Sequence, residues 1–154
     1  MVETVDSNLN VLCAVLSVTI ERITHMPIMK QLSIFLENKP GVLGTFCEEL
    51  AANEINILGL SVSDTVDHAV VRVLCDNSKK ACTVLGDAGM LVVETDVLVL
   101  DLPDKPGILA QVAKKLAKAK INIESAYGTT EASGGKLVLR VSDAKKALTL
   151  LKIK

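Results

Sequence analysis

The chain has 154 residues, 49% of them hydrophobic, and a formal net charge of -1. Near-neutral charge argues against a nucleic-acid binder, which shows a basic face, and with Phe35, Phe46 and Tyr127 as the only aromatics there is no base-stacking platform either. The length suits one ordinary domain or two small ones.

Residues 1–29 come first. They hold the apolar run "VLCAVLSVTI" at 11–20, too short for a membrane span, which needs about 20 residues. The residues before it are acidic (Glu3, Asp6), unlike a secretory leader. The run is read as an added strand or as a leader outside the native fold, and a cytoplasmic location is expected. "KQLSIFLE" (30–37) alternates as a strand does. Asn38-Lys39-Pro40-Gly41 breaks it with turn chemistry. Val42, Leu43, Phe46 and Leu50 then recur at helical spacing, and Asn53-Glu54 ends that helix. Strands are expected at 55–63 and 68–75, a helix capped by Asn77 or Ser78 through Leu85, and a long strand over 90–102.

The chain then repeats itself. "NKPGVLGTFCEELAANEINI" at 38–57 aligns without a gap with "DKPGILAQVAKKLAKAKINI" at 104–123, an offset of 66 that still holds at Lys79-Lys80-Ala81 against Lys145-Lys146-Ala147. A repeat of this kind means one structural unit used twice. The second copy reads as strand 96–102, helix 107–119, strand 121–130, strand 136–142 and helix 143–152, and it stops before a counterpart of "GMLVVETD". The fold class is α+β: two ferredoxin-like βαββαβ units in tandem, antiparallel sheets with helices on one face, the second unit lacking its last strand. Right-handed crossovers put both helices of a unit on the same side. The expected divisions are 1–29, 30–95 and 96–154. A unit this small buries too little surface to be stable alone, so pairing of copies, and a homodimer, are expected. The leader strand or a partner chain is expected to cover the second unit's bare edge.

Chemistry is expected at the repeated turn. Pro40 and Pro106 suit a first helical turn, which needs no N–H from them. The N–H groups of Gly41, Val42 and Leu43, and of Gly107, Ile108 and Leu109, then face outward at a helix N-terminus, where an anion such as a carboxylate is favoured. Asn38, or Asp104 in the other copy, can accept from an ammonium group. Asn56 and Asn122 begin the second strand of each unit. Donors for a carboxylate beside acceptors for an ammonium describe a site for a free amino acid. The bland reading is that Lys-Pro-Gly is only a good strand-to-helix turn.

Cys13, Cys47, Cys75 and Cys82 form no CxxC, and His25 and His68 are isolated, so no metal is expected. No phosphate-cradling loop or nucleophile elbow appears, so no cofactor and no catalytic residue is assigned. The Lys114, Lys115, Lys118 and Lys120 series reads as a solvated helix face.

"LENKPGVL" with "EINI", and again "LPDKPGIL" with "KINI", resembles the ACT family of small-molecule-binding regulatory modules. The resemblance covers about 30–154 and implies a stand-alone tandem protein. It implies that units pair side by side and hold an amino acid between them, at the loop after the first strand, the start of the first helix and the start of the second strand. Here those positions are Asn38, Pro40, Gly41, Val42, Leu43 and Asn56, and Asp104, Pro106, Gly107, Ile108, Leu109 and Asn122. Asp104 departs from the Asn usual there, so the two sites are expected to differ. The implied function is a non-catalytic amino-acid sensor acting on a separate metabolic enzyme. The alternative is an interaction subunit of such an enzyme with vestigial sites. An acylphosphatase-like hydrolase is disfavoured because none of Arg22, Arg72 and Arg140 lies in an anion-cradling loop.

Overall fold

A computed structural model describes residues 28–64, 68–131 and 134–151. The apolar run at 11–20, Cys13 and His25 lie outside the described residues. The elements are β1 (Ile28–Glu37), α1 (Val42–Ala52), β2 (Ile57–Asp64), β3 (His68–Cys75), α2 (Ser78–Asp87), β4 (Val92–Leu102), α3 (Ile108–Lys118), β5 (Ile123–Glu131), β6 (Gly134–Val141) and α4 (Ala144–Leu151). The chain divides into two compact units, the first formed by Met29–Val97 and the second built from Leu98 onward. β4 runs across the boundary, closing one unit and opening the next.

In the first unit the strands run in the order β2-β3-β1, with the first half of β4 beyond β1. β1 and β3 pair antiparallel from Gln31↔Leu74 to Glu37↔His68, and β2 pairs with β3 from Ile57↔Cys75 to Asp64↔Ala69. Alternation puts Leu32, Ile34 and Leu36 of β1 on the same face as Val71 and Val73 of β3. Against that face pack Phe46 and Leu50 of α1 and Ala81 and Leu85 of α2, so both helices cover one side. Lys30 at the start of β1 reaches Asp96 of β4 at 2.8 Å.

The second unit repeats this with the order β4-β6-β5. Leu98 and Leu100 of β4 and Leu139 and Val141 of β6 meet Val112 and Leu116 of α3 and Ala147 and Leu151 of α4. Ile108, Val112 and Leu116, spaced by four, are the buried stripe of α3, while Lys114, Lys118 and Lys120 are exposed. No strand follows α4 among the described residues.

The offset of 66 extends to individual bonds. Asn77 Oδ1 accepts from the Lys80 N–H at 3.0 Å, and Asp143 Oδ1 from the Lys146 N–H at 2.9 Å, so each second helix has an N-cap. Lys80 Nζ donates to the Asn53 carbonyl at 2.5 Å and Lys146 Nζ to the Ala119 carbonyl at 3.1 Å, each tying the end of the first helix to the second. The first helices end on Glu54 (φ 55) and Lys120 (φ 59), both left-handed. There the Ile55 N–H reaches back to the Leu50 carbonyl and the Ile121 N–H to the Leu116 carbonyl, each at 3.0 Å.

A non-glycine side chain in the left-handed region costs about 1–2 kcal/mol. Replacing Glu54 or Lys120 by Gly relieves that cost and adds backbone entropy to the unfolded chain. Each of Glu54→Gly and Lys120→Gly is therefore expected to raise stability by up to about 1 kcal/mol. Gly41→Ala or Gly107→Ala should lower it by about the same amount. Urea unfolding midpoints of the four variants check both signs.

Candidate functional site

Each unit's first strand leaves the sheet through a turn whose type is fixed by two residues. The Val42 N–H donates to the Lys39 carbonyl at 3.3 Å, with Pro40 and Gly41 between them and Gly41 at φ 88, ψ -23. That is a type II turn, with Pro supplying its first central position and Gly its left-handed second. Lys105-Pro106-Gly107-Ile108 repeats it, with the Ile108 N–H on the Lys105 carbonyl at 3.3 Å and Gly107 at φ 90, ψ -10. A Cβ on either glycine would meet nothing within 4 Å, so the demand for Gly is conformational and not one of space.

The turn refines two expectations. Gly41 and Gly107 are the N-caps, and Pro40 and Pro106 precede them instead of opening the helix. The chain has to reverse through the left-handed residue before helical dihedrals begin. The amides of Val42 and Ile108 are used by the turn itself. Neither helix has a side-chain cap, so the other first-turn N–H groups meet no side-chain acceptor.

The two turns differ in their surroundings. In the second unit a solvent-open cleft of about 380 Å³ lies between the turn, the start of α3 and the paired strands β5 and β6. That volume is within the range of small-molecule sites. Its apolar wall is Leu102, Ile108, Leu109, Ala126 and Leu137. Asp104 and Lys105 add one negative and one positive charge at the same cleft, while Lys136 lines it through its backbone, since alternation with Leu137 and Leu139 turns its side chain to the other face of the sheet. Of the residues singled out from the sequence, Asp104, Ile108 and Leu109 line the cleft, and Pro106 and Gly107 lie in the turn between them.

In the first unit Asn38 Nδ2 donates to Asp64 Oδ1 at 2.6 Å, tying the turn to the end of β2. Lys39 pairs with Glu37 at 2.8 Å. That hydrogen bond, with the opposite charge beside it, raises the Lys39 ammonium pKa and lowers that of the Glu37 carboxyl. Val42 packs partly into the core and Leu43 is exposed.

Asn56 and Asn122 are not gathered at the turns. They stand just before the strands begin, and the eight residues of β2, at about 3.3 Å each, put roughly 26 Å between Asn56 and the Asp64 that holds Asn38. What the two Asn positions do is clamp the backbone. The Asn56 N–H donates to Asp76 Oδ1 at 3.1 Å while its carbonyl accepts from the Asp76 N–H at 3.1 Å. The Asn122 N–H donates to Ser142 Oγ at 3.0 Å, and its carbonyl accepts from the Ser142 N–H at 3.0 Å. The pairing then shifts by a bulge at Leu58 and at Glu124, whose carboxylate pairs with Arg140 at 2.7 Å. After the bulge Leu60 pairs with Val73 and Ala126 with Leu139, both facing the helices.

A family model described as an ACT domain pair matches residues 26–154. The chain belongs to this family. No curated protein matches it. A crystal structure of protein BT0572 from Bacteroides thetaiotaomicron superimposes on this ACT domain pair with a TM-score of 0.78 at 34% identity, over 82% of this chain and 88% of that one. The regulatory subunit of aspartate kinase from Thermus thermophilus, ligand-free, gives 0.63 at 14% identity over 84% and 96%. Its counterpart from Thermus flavus gives 0.59 at 14% over 82% and 93%. At that identity the two Thermus proteins share the fold. Among the described residues no group of three or more His, Cys, Asp or Glu is placed to hold a metal, and no helix is long and apolar enough to cross a membrane.

Sequence reasoning did not place Lys136, Leu137 or Gly128 at the site. The available signal was the register of the repeat, which sets Ala126 and Gly128 against Leu60 and Val62.

The described cysteines, Cys47, Cys75 and Cys82, are free thiols. Burial, and secondarily Asp76 beside it, pushes the Cys75 thiol up to about 11. The folded chain keeps this proton where the unfolded chain releases it. The resulting stability is complete below the ordinary thiol pKa near 9 and is lost as the pH climbs toward about 11. Iodoacetamide at pH 8.5 should therefore label Cys47 well ahead of Cys75, with Cys75 reacting only as the protein unfolds. Equal rates by peptide mass mapping would contradict this burial.

Proposed function

We propose that the ACT domain pair is a non-catalytic regulatory module that binds a free amino acid at its proline-glycine turns, with the cleft of the second unit as the main site. The observation that carries this reading is the company the cleft keeps. Uncapped helix N–H groups and the Lys105 ammonium group suit a carboxylate. Asp104 suits an ammonium group, and the wall of Leu102, Ile108, Ala126 and Leu137 suits an apolar side chain. A zwitterion with a small aliphatic side chain satisfies all three.

Binding acts by population shift: the ligand stabilises whichever arrangement of the chain holds the cleft closed around it, by the difference between its affinities for the two states. The target of such a signal is a separate enzyme of amino-acid metabolism, reached by a homodimer in the cytoplasm. Two of the structural neighbours are named as the regulatory subunit of aspartate kinase, which agrees with a role of this type.

Thermal unfolding in the presence of each of the twenty amino acids tests the reading. One or a few aliphatic amino acids should raise the melting temperature, because a ligand at a hundred times its Kd stabilises the fold by about 2.7 kcal/mol. Asp104→Ala should weaken that ligand by roughly tenfold or more, the weight of a charge-assisted hydrogen bond. No shift with any of the twenty would end the proposal.

A further inference from the structure

We infer that the two copies have divided their roles: the second unit is the chain's one binding unit, the first is closed, and Ala126 with Gly128 sets the difference. This rests on the reading of the cleft given above and goes beyond it, since the turn itself is present twice.

Three observations at matched positions point the same way. Leu60 and Val62 stand in the first unit where Ala126 and Gly128 stand in the second. The register is the same in both. Leu60 pairs with Val73 and Val62 with Val71, as Ala126 pairs with Leu139 and Gly128 with Leu137. The side chains at these positions therefore face the same side of the sheet, toward the turn and the first helix. Each first-unit residue is three carbons larger than its counterpart, and Leu60 and Val62 stand part-exposed over the face that the second unit leaves as a cleft. The opening at Gly128 is also locked in place. A Cβ there would run into the Lys136 carbonyl oxygen and stand 3.2 Å from the Leu137 Cα, so β5 and β6 approach as only glycine allows.

The second observation is the bond from Asn38 to Asp64, which spans from the turn to the last residue of β2. The same positions in the second unit are Asp104 and Thr130, and Asp104 lines the cleft. The third is charge. Lys39 is neutralised by Glu37 two residues before it, whereas Pro103 holds that place before Lys105. Among the described residues no ion pair holds Lys105. Bulk, latch and charge thus differ between the copies in one direction: Asn38 and Lys39 are held by Asp64 and Glu37 in the first, and the second is left open for a small zwitterion.

Calorimetric titration of the full chain with the amino acid that gives the largest thermal shift decides the matter. The expected result is one ligand per chain. Ala126→Leu should weaken binding by more than tenfold, with Ala126→Val as a milder second variant expected to fall between it and the parent. Both should keep the parental circular dichroism, since the first unit carries Leu at the same register. Leu60→Ala should leave affinity and stoichiometry unchanged. Two ligands per chain, or full affinity in Ala126→Leu, would overturn the division while leaving amino-acid binding intact. No heat with any of the twenty would overturn both.

Discussion

A left-handed glycine after proline is the constraint from which the rest of each unit follows. Gly41 and Gly107 sit at φ 88 and 90 with open space where a Cβ would be. Their backbone turns β1 and β4 out of the sheet and back along it as α1 and α3. A serine or aspartate N-cap would start a helix here as well, but its side chain would occupy the first-turn amides. The type II turn starts the helix without such a group. It fixes the helix direction, lets Phe46 and Leu50 or Val112 and Leu116 reach the sheet, and leaves first-turn amides without a side-chain acceptor, in the second unit at the mouth of the cleft.

The two copies share their scaffold bonds and differ at their mouths. Helix caps at Asn77 and Asp143, the lysine ties from Lys80 and Lys146, the left-handed stops at Glu54 and Lys120 and the backbone clamps at Asp76 and Ser142 recur at matched positions. Several pairs exchange residue type while keeping the bond, as Asp76 and Ser142 do. Backbone geometry needs only an acceptor at that point, and either side chain supplies one. Binding depends on volume and charge, and both differ between the copies, with Ala126 and Gly128 in place of Leu60 and Val62 and Asp104 in place of Asn38.

Much of this was legible in the sequence. The repeat, the element order and the helix-facing stripes follow from periodicity, because Leu32, Ile34 and Leu36 alternate and Ile108, Val112 and Leu116 recur every fourth residue. The turn residues were legible too, since Pro at the first central position and Gly at the second are residues a type II turn favours. The position of the proline was not. Pro40 reads as a first helical residue until the bond from Val42 to Lys39 shows that a turn intervenes. The place of Asn56 and Asn122 was not legible for a related reason: a strand's register decides which end of the sheet a residue occupies, and the bulge at Leu58 and Glu124 is invisible to alternation. The cleft was the least legible feature, because it depends on Gly128, Lys136 and Leu137 from two paired strands far from the turn in sequence.

The most direct test of the central claim is a backbone amide NMR titration with the best-stabilising aliphatic amino acid. The account predicts that the Gly107, Leu109 and Ala126 amides shift in proportion to ligand, while Gly41, Leu43 and Leu60 stay where they are. Equal shifts at both turns, or shifts confined to surfaces away from either turn, would contradict it.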